Sequence, residues 1–168
     1  MDETERGFGA HRPDLATIVE AVAVVLLVNA VGAAPGVAFA PDSAWFRELE
    51  KPAFYPPEIA FPVVWTLLFT LLGIALWLVW RADAAGRGRA LGLFVAQMAA
   101  NVAWTPAFFG AESIGTGLAV IVLLWVLIVA TIAAFRRVDR RAAALMVPYL
   151  LWVTFAALLN FELWRLNA

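Results

Sequence analysis

Five stretches of about twenty residues run almost without charge along this chain, and they restrict its fold more than any other feature. At ~1.5 Å rise per residue, a helix of ~20 residues crosses a hydrocarbon core of ~30 Å, and a helix satisfies its own backbone N–H and C=O groups there. The expectation is an all-α integral membrane protein, a bundle of five transmembrane helices. Composition agrees: 64% of the 168 residues are hydrophobic and 15% charged, with a mean hydropathy of +0.85. A soluble surface needs roughly a quarter of its residues charged. The spans are expected at about 14–34, 59–80, 90–109, 114–135 and 142–164, as one membrane domain (14–168) behind a polar tail, residues 1–13. The tail mixes acids with arginines and has no short apolar core ending in a cleavage site, so it is expected to be retained rather than removed as a signal peptide.

The charges exclude some functions and orient the chain. A net charge of −1 and the lack of any basic run leave no field for nucleic acid. With no cysteine, disulfides, thiolate metal sites and cysteine nucleophiles are excluded together. The single His11 lies in the tail without partner ligands and reads as a surface histidine; no metal and no required cofactor are expected. Five spans put the tail and the turns after the second and fourth helices on one side, with Arg6, Arg12, Arg81, Arg87, Arg89, Arg136, Arg137, Arg140 and Arg141. The other side holds Arg47, Lys51 and Arg165. The positive-inside rule therefore places the N-terminus inside and the long 35–58 connection outside.

That connection is long for a helical bundle, and long loops tend to carry function. It contains Trp45, Phe46, Phe54, Pro56 and Pro57, and its prolines stiffen it into a candidate lid. Beneath it, the third span places Gln97, Asn101, Trp104 and Phe108 at i, i+4, i+7 and i+11, one face of a helix. The second span places Trp65 and Phe69 at i and i+4, and the fifth aligns Tyr149, Trp152, Ala156 and Asn160. Counted at ~1.5 Å per residue from the outer ends, Trp65 and Trp104 lie roughly 9 Å deep, Asn101 roughly 13 Å and Trp152 roughly 18 Å. All four fall in the same half of the bilayer. An indole-lined pocket with a few polar anchors suits a flat apolar ligand. The plainer alternative is that Gln97 and Asn101 only tie helices together and that tryptophans anchor the interface, as Trp45, Trp80 and Trp164 near span ends are placed to do.

Other features have structural readings. Gly92, Ala96 and Ala100 have the small-xxx-small spacing of a close helix–helix contact and are the expected dimer interface. Pro106 and Pro148 are expected to kink the third and fifth spans. Trp77 and Trp125 are assigned to packing or lipid contact. Glu20 is expected to snorkel without an evident partner, and Arg165 to pair with Glu162 at the interface.

The ordered set WFRELEKPAFYPP (45–57), FPVVWTLLFTLLGIALWLVW (61–80), NVAWTPAFFG (101–110), LLW (123–125) and PYLLWVTFAALLNFELWRLN (148–167) resembles the TspO/MBR family of tryptophan-rich sensory and translocator proteins. The resemblance covers every span except the first. It implies a five-helix bundle, usually a homodimer, that binds protoporphyrin IX, haem, sterols and isoquinoline or benzodiazepine-type drugs. The family's pocket uses positions matching Trp65, Phe69, Asn101, Trp104, Trp152 and Ala156, beneath a lid that includes those matching Pro56 and Pro57. Some members degrade protoporphyrin in light, attributed to the tryptophans matching Trp65 and Trp152. Three departures stand out: Phe54 where many members have tryptophan, Phe69 where many have tyrosine, and Phe161 in place of the tyrosine of the sterol motif, in LLNFELWR. These favour a microbial, tetrapyrrole-related role over specific sterol binding.

Three functions follow from this reading. The first is a membrane binding protein or sensor for tetrapyrroles, regulating pigment or tetrapyrrole metabolism. The second is a transporter or receptor for such ligands, against which stands the lack of an internal repeat. The third is a light-dependent porphyrin-degrading enzyme resting on Trp65 and Trp152 alone.

Overall fold

The computed structural model describes residues 14–39 and 43–168. The tail 1–13, with Arg6, His11 and Arg12, lies outside the described residues, as do Pro41 and Asp42. The elements are α1 (Leu15–Ala38), α2 (Ala44–Glu48), α3 (Ala60–Arg81), α4 (Arg87–Thr105), a π-helical turn (Pro106–Gly110), α5 (Ile114–Val138), α6 (Arg140–Leu145) and α7 (Val147–Asn167), with no strand among the described residues. Five segments are long and apolar enough to cross a membrane: α1, α3, α4 with the π turn, α5, and α6 with α7. The protein is a multi-pass integral membrane protein.

The ends of these helices follow from local chemistry. Asp14, Ser43, Ser113 and Asp139 each accept a backbone N–H of the first turn that no carbonyl can reach. Gly86, at φ 87°, starts α4 in a left-handed conformation that costs glycine little, and the helix begins three residues earlier than expected. The first span runs past its expected end at residue 34 because Pro35 is accommodated inside α1, where it is buried. Losing one hydrogen bond there costs less than unwinding AAPGVA, whose freed backbone groups would need partners that hydrocarbon lacks.

Both prolines sit where their helices are interrupted, by different means. Pro106 converts the end of α4 into the π turn, where Ala111 N–H reaches the Pro106 carbonyl at 2.9 Å and Ser113 N–H the Phe108 carbonyl at 3.2 Å. Pro148 follows a break at Met146 that divides the fifth span into α6 and α7.

Packing forms a ring in the order α1, α4, α5, α6/α7, α3 and back to α1. The α1–α3 seam is close because of glycines. A Cβ on Gly73 would lie 2.6 Å from the Val25 Cα, and one on Gly32 would enter the Phe69 ring. Asn29 donates to the Thr70 hydroxyl at 3.3 Å across the same seam. The main core runs through Leu72, Phe94, Ile128, Phe135, Met146 and Tyr149, with Phe94 and Phe135 stacked at 6.0 Å. A second cluster, built on Phe46, Phe108, Leu159 and Leu163, joins the long loop to the start of α5 and the C-terminal half of α7. Glu20 does have a partner: Arg81 meets it at 2.9 Å, a link between α1 and α3 that no sequence spacing signals. Arg165 and Glu162 pair at 2.7 Å as expected.

Candidate functional site

Three helices converge on one hydrogen-bonded group. Asn101 Nδ2 donates to the Tyr149 hydroxyl at 2.9 Å, and that hydroxyl donates to Gln97 Oε1 at 3.1 Å. Tyr149 and Gln97 are wholly buried and Asn101 nearly so. The one-turn spacing of Gln97 and Asn101 on α4 lets both amides reach a single phenol on α7. The third helix contributes Trp65 on α3, whose ring meets Tyr149 edge-on at 6.1 Å and stacks on Phe69 at 5.2 Å. One turn above Tyr149, Trp152 packs against Phe61 at 6.1 Å and Phe155 at 5.5 Å. Ala156, half-buried, packs against the main core one turn further along.

Nearer the loop, Trp104 stacks on Phe108 at 5.1 Å and donates its indole N–H to Asn160 Oδ1 at 3.2 Å, while Asn160 Nδ2 donates to the Ile114 carbonyl at 3.1 Å. Gly117 is required beside them, since a Cβ there would lie 2.6 Å from Phe108. The structure thus brings Trp65, Phe69, Asn101, Trp104, Phe108, Tyr149, Trp152 and Ala156 into one continuous aromatic and polar wall beneath the loop. Two surface clefts lie elsewhere, one between α5 and α7 and one where α3 meets α4.

The loop docks through side chains on its short helix. Phe46 is buried against Phe108, Phe109 and Tyr55, at 6.1, 5.1 and 6.4 Å, and Trp45 meets Phe108 edge-on at 5.6 Å. Lys51 lies 4.8 Å over the Phe46 ring and donates to its carbonyl. Burial raises the Tyr55 phenol above its ordinary range, so it stays a neutral hydroxyl. Phe54 is half exposed and rests edge-on against Phe155, Pro56 is half-buried and Pro57 exposed.

Some residues that matter here were not singled out from the sequence. Asn167, the last residue of α7, accepts from Glu50 N–H at 2.9 Å and donates to the Glu50 carbonyl at 3.0 Å. Its spacing from Asn160 is seven residues, so the face through Tyr149, Trp152, Ala156 and Asn160 reaches it by the same helical arithmetic. Trp125 donates to Thr154 at 2.9 Å, tying α5 to α7. Two buried N–H groups at the wall have no acceptor among the described residues, Gln97 Nε2 and Trp152 Nε1; Trp77 Nε1, toward the other end of α3, is a third.

The small-residue row does not stay on one surface. Gly92 is exposed, Ala96 half-buried and Ala100 buried in the bundle. Each four-residue step turns a helix by about 40° beyond a full circle, so two steps carry Ala100 inward. The outward face of α4 runs instead through Gly92, Val95 and Ala99.

The sequence model of the TspO/MBR family matches residues 21–165. The chain is 44% identical over 135 residues to the tryptophan-rich sensory protein of Cereibacter sphaeroides, covering 80% of this chain and 84% of that one. It is 41% identical over 155 residues to the tryptophan-rich protein TspO of Chlorobaculum tepidum, covering 86% and 97%. The translocator protein of Ovis aries is 36% identical over 126 residues, 73% of this chain and 75% of its own.

Proposed function

The chain belongs to the TspO/MBR family, and from that premise we propose that it is a membrane binding protein and sensor for tetrapyrroles, protoporphyrin IX and haem among them, held beneath the 43–58 loop. One observation carries the reading. Gln97 Nε2 and Trp152 Nε1 are buried N–H donors without acceptors among the described residues, set in a wall of aromatic rings. Each such donor costs ~1–3 kcal/mol while unpaired, and a flat ligand bearing ring nitrogens or carboxylates offers acceptors as well as a face for the indoles to stack on. The ligand enters by parting rings that now pack on each other, with Trp65/Phe69 on one side and Trp152/Phe155 on the other. No metal or resident cofactor is needed for this.

Binding is expected in the micromolar range, read by quenching of tryptophan fluorescence as protoporphyrin IX is titrated into the purified protein. Unchanged affinity in the double variant Trp65→Phe/Trp152→Phe would refute the site. Illuminating the complex under oxygen and following porphyrin loss distinguishes binding from degradation by Trp65 and Trp152. Vesicles with porphyrin trapped on one side distinguish binding from transport. The same proposal places the arginine-rich side inside and makes the protein a homodimer that meets its partner over Gly92 and Ala96 rather than Ala100. An unchanged oligomer in Ala96→Phe excludes that contact.

A further inference from the structure

At the arginine-rich end of the bundle, a cleft of about 190 Å³ opens where α3 turns into α4, lined by Trp80, Arg87 and Leu91. Its walls differ in chemistry. Trp80 is 58% exposed in the last turn of a spanning helix, where an indole meets the lipid interface, and Leu91 lies one turn into α4. Arg87 supplies the charge.

The state of that guanidinium is the decisive feature. Arg81, Arg141 and Arg165 each meet a carboxylate, at 2.9, 3.1 and 2.7 Å, and these are the ion pairs among the described residues. Arg87 meets none. Its Nη1 alone is engaged, by the Trp80 carbonyl at 3.4 Å and the Ala82 carbonyl at 3.2 Å. A guanidinium has five N–H donors in a rigid fork. The two carbonyls fix the position of the fork at the end of α3 and leave Nε and Nη2 without a protein acceptor among the described residues. Among the described residues the surroundings are also short of negative charge: Arg81, Arg87, Arg89, Arg136, Arg137, Arg140 and Arg141 share this end with Asp14, Glu20, Asp83 and Asp139. Glu20 and Asp139 are already paired with Arg81 and Arg141.

We propose that this cleft holds an anionic phospholipid, its phosphate on the free edge of Arg87 and the upper part of an acyl chain between Trp80 and Leu91. A positioned guanidinium, an exposed indole at interface depth and an apolar wall continuing into the hydrocarbon together match the three parts of a lipid: phosphate, glycerol region and chain. A free phosphate would use Arg87 and leave the Trp80–Leu91 wall without a role.

The test uses the full chain in phosphatidylcholine nanodiscs containing a minority of phosphatidylglycerol, with retained lipid counted by native mass spectrometry. Phosphatidylglycerol should be retained in preference to phosphatidylcholine. Arg87→Gln should lower that preference about fivefold, the effect of one basic residue near an anionic surface. Leu91→Trp, which fills the cleft without changing charge, should lower it too. Arg136→Gln, outside the cleft, should leave it unchanged, and both cleft variants should melt normally in pure phosphatidylcholine. An equal loss in Arg136→Gln would replace the site with diffuse attraction to the whole face. Full retention in Leu91→Trp, or displacement of the lipid by millimolar inorganic phosphate, would show an anion contact rather than a lipid site.

Discussion

Replacing Asn167 by alanine should release the long loop without unfolding the bundle. The Asn167 carboxamide makes both backbone hydrogen bonds to Glu50, at 2.9 and 3.0 Å, and a third to the Leu163 carbonyl at 2.8 Å within its own helix. Glu50 and Asn167 are exposed, so water replaces the lost partners, and the loss is ~0.5–1 kcal/mol for each loop bond rather than the larger penalty of a buried orphan. The latch therefore contributes ~1–2 kcal/mol, which raises the undocked fraction about 5–30-fold. Phe46 bears the greater share of docking. The residue is 8% exposed, and burying a phenylalanine contributes ~1.5–3 kcal/mol before the edge contacts with Phe108 and Phe109 are counted.

Native-state proteolysis reads this difference. Trypsin can cut after Arg47, inside the docked helix α2, whereas Lys51 is protected by Pro52. When opening and closing are fast relative to cleavage, the rate follows the open population. The Arg47 fragment, identified by mass, should appear about 5–30-fold faster in Asn167→Ala and faster still in Phe46→Ala, with both melting temperatures close to the parent's. A rate in Asn167→Ala equal to the parent's, with Phe46→Ala accelerated, would mean that the carboxamide contributes nothing and the aromatic cluster alone holds the loop.

Tyr149→Phe removes a hydroxyl that holds Asn101 and Gln97 at once, and should destabilise the protein by ~1–2 kcal/mol in a denaturing-detergent titration, taking interhelical bonds in membranes at ~0.6 and at most ~1.7 kcal/mol each. Gly73→Val forces a branched side chain against the Val25 backbone, where the Cβ alone would lie 2.6 Å from Cα, and should lower stability by ~1–3 kcal/mol or more in the same titration. Asp139 is held below the ordinary carboxylate range by its hydrogen bond from the Arg141 side chain, with backbone N–H groups of α6 adding to it. Its folded pKa is depressed, so its contribution is present above the unfolded value of about 3.9 and fades as pH falls through the lower folded value. Melting curves of the parent and Asp139→Asn should therefore differ at neutral pH and converge below about pH 4.

Much of this architecture was legible because a membrane narrows the choices. Hydrocarbon admits few backbone solutions, so five apolar runs became five helices, and the extended end at Pro35 was set by the same rule that predicted the helices. Alignment along one helix was equally readable: Gln97 with Asn101, and Tyr149 with Trp152, Ala156 and Asn160, lie where the periodicity puts them. Contact between helices was not. Nothing in the spacing says that Arg81 meets Glu20, or that Asn29 meets Thr70. Small-residue periodicity also misled at Ala100, because a four-residue repeat drifts around a 3.6-residue helix.

The wall beneath the loop divides along the same line, and the division bears on what it binds. Aromatic rings are interchangeable partners: with the loop docked, Trp104 stacks on Phe108 and Trp65 on Phe69, and each would accept a ligand face in place of its neighbour. Hydrogen-bond donors are not interchangeable. Tyr149, Asn101, Trp104 and Asn160 are joined to protein partners, and breaking those bonds would offset whatever a ligand gained from them. Gln97 Nε2 and Trp152 Nε1 are the buried donors at this wall without a partner among the described residues, so a ligand held there as proposed would gain from pairing them. On the proposed reading, selectivity among flat ligands would rest on where each presents its acceptors to these two groups, while the rings would govern affinity for any flat apolar face.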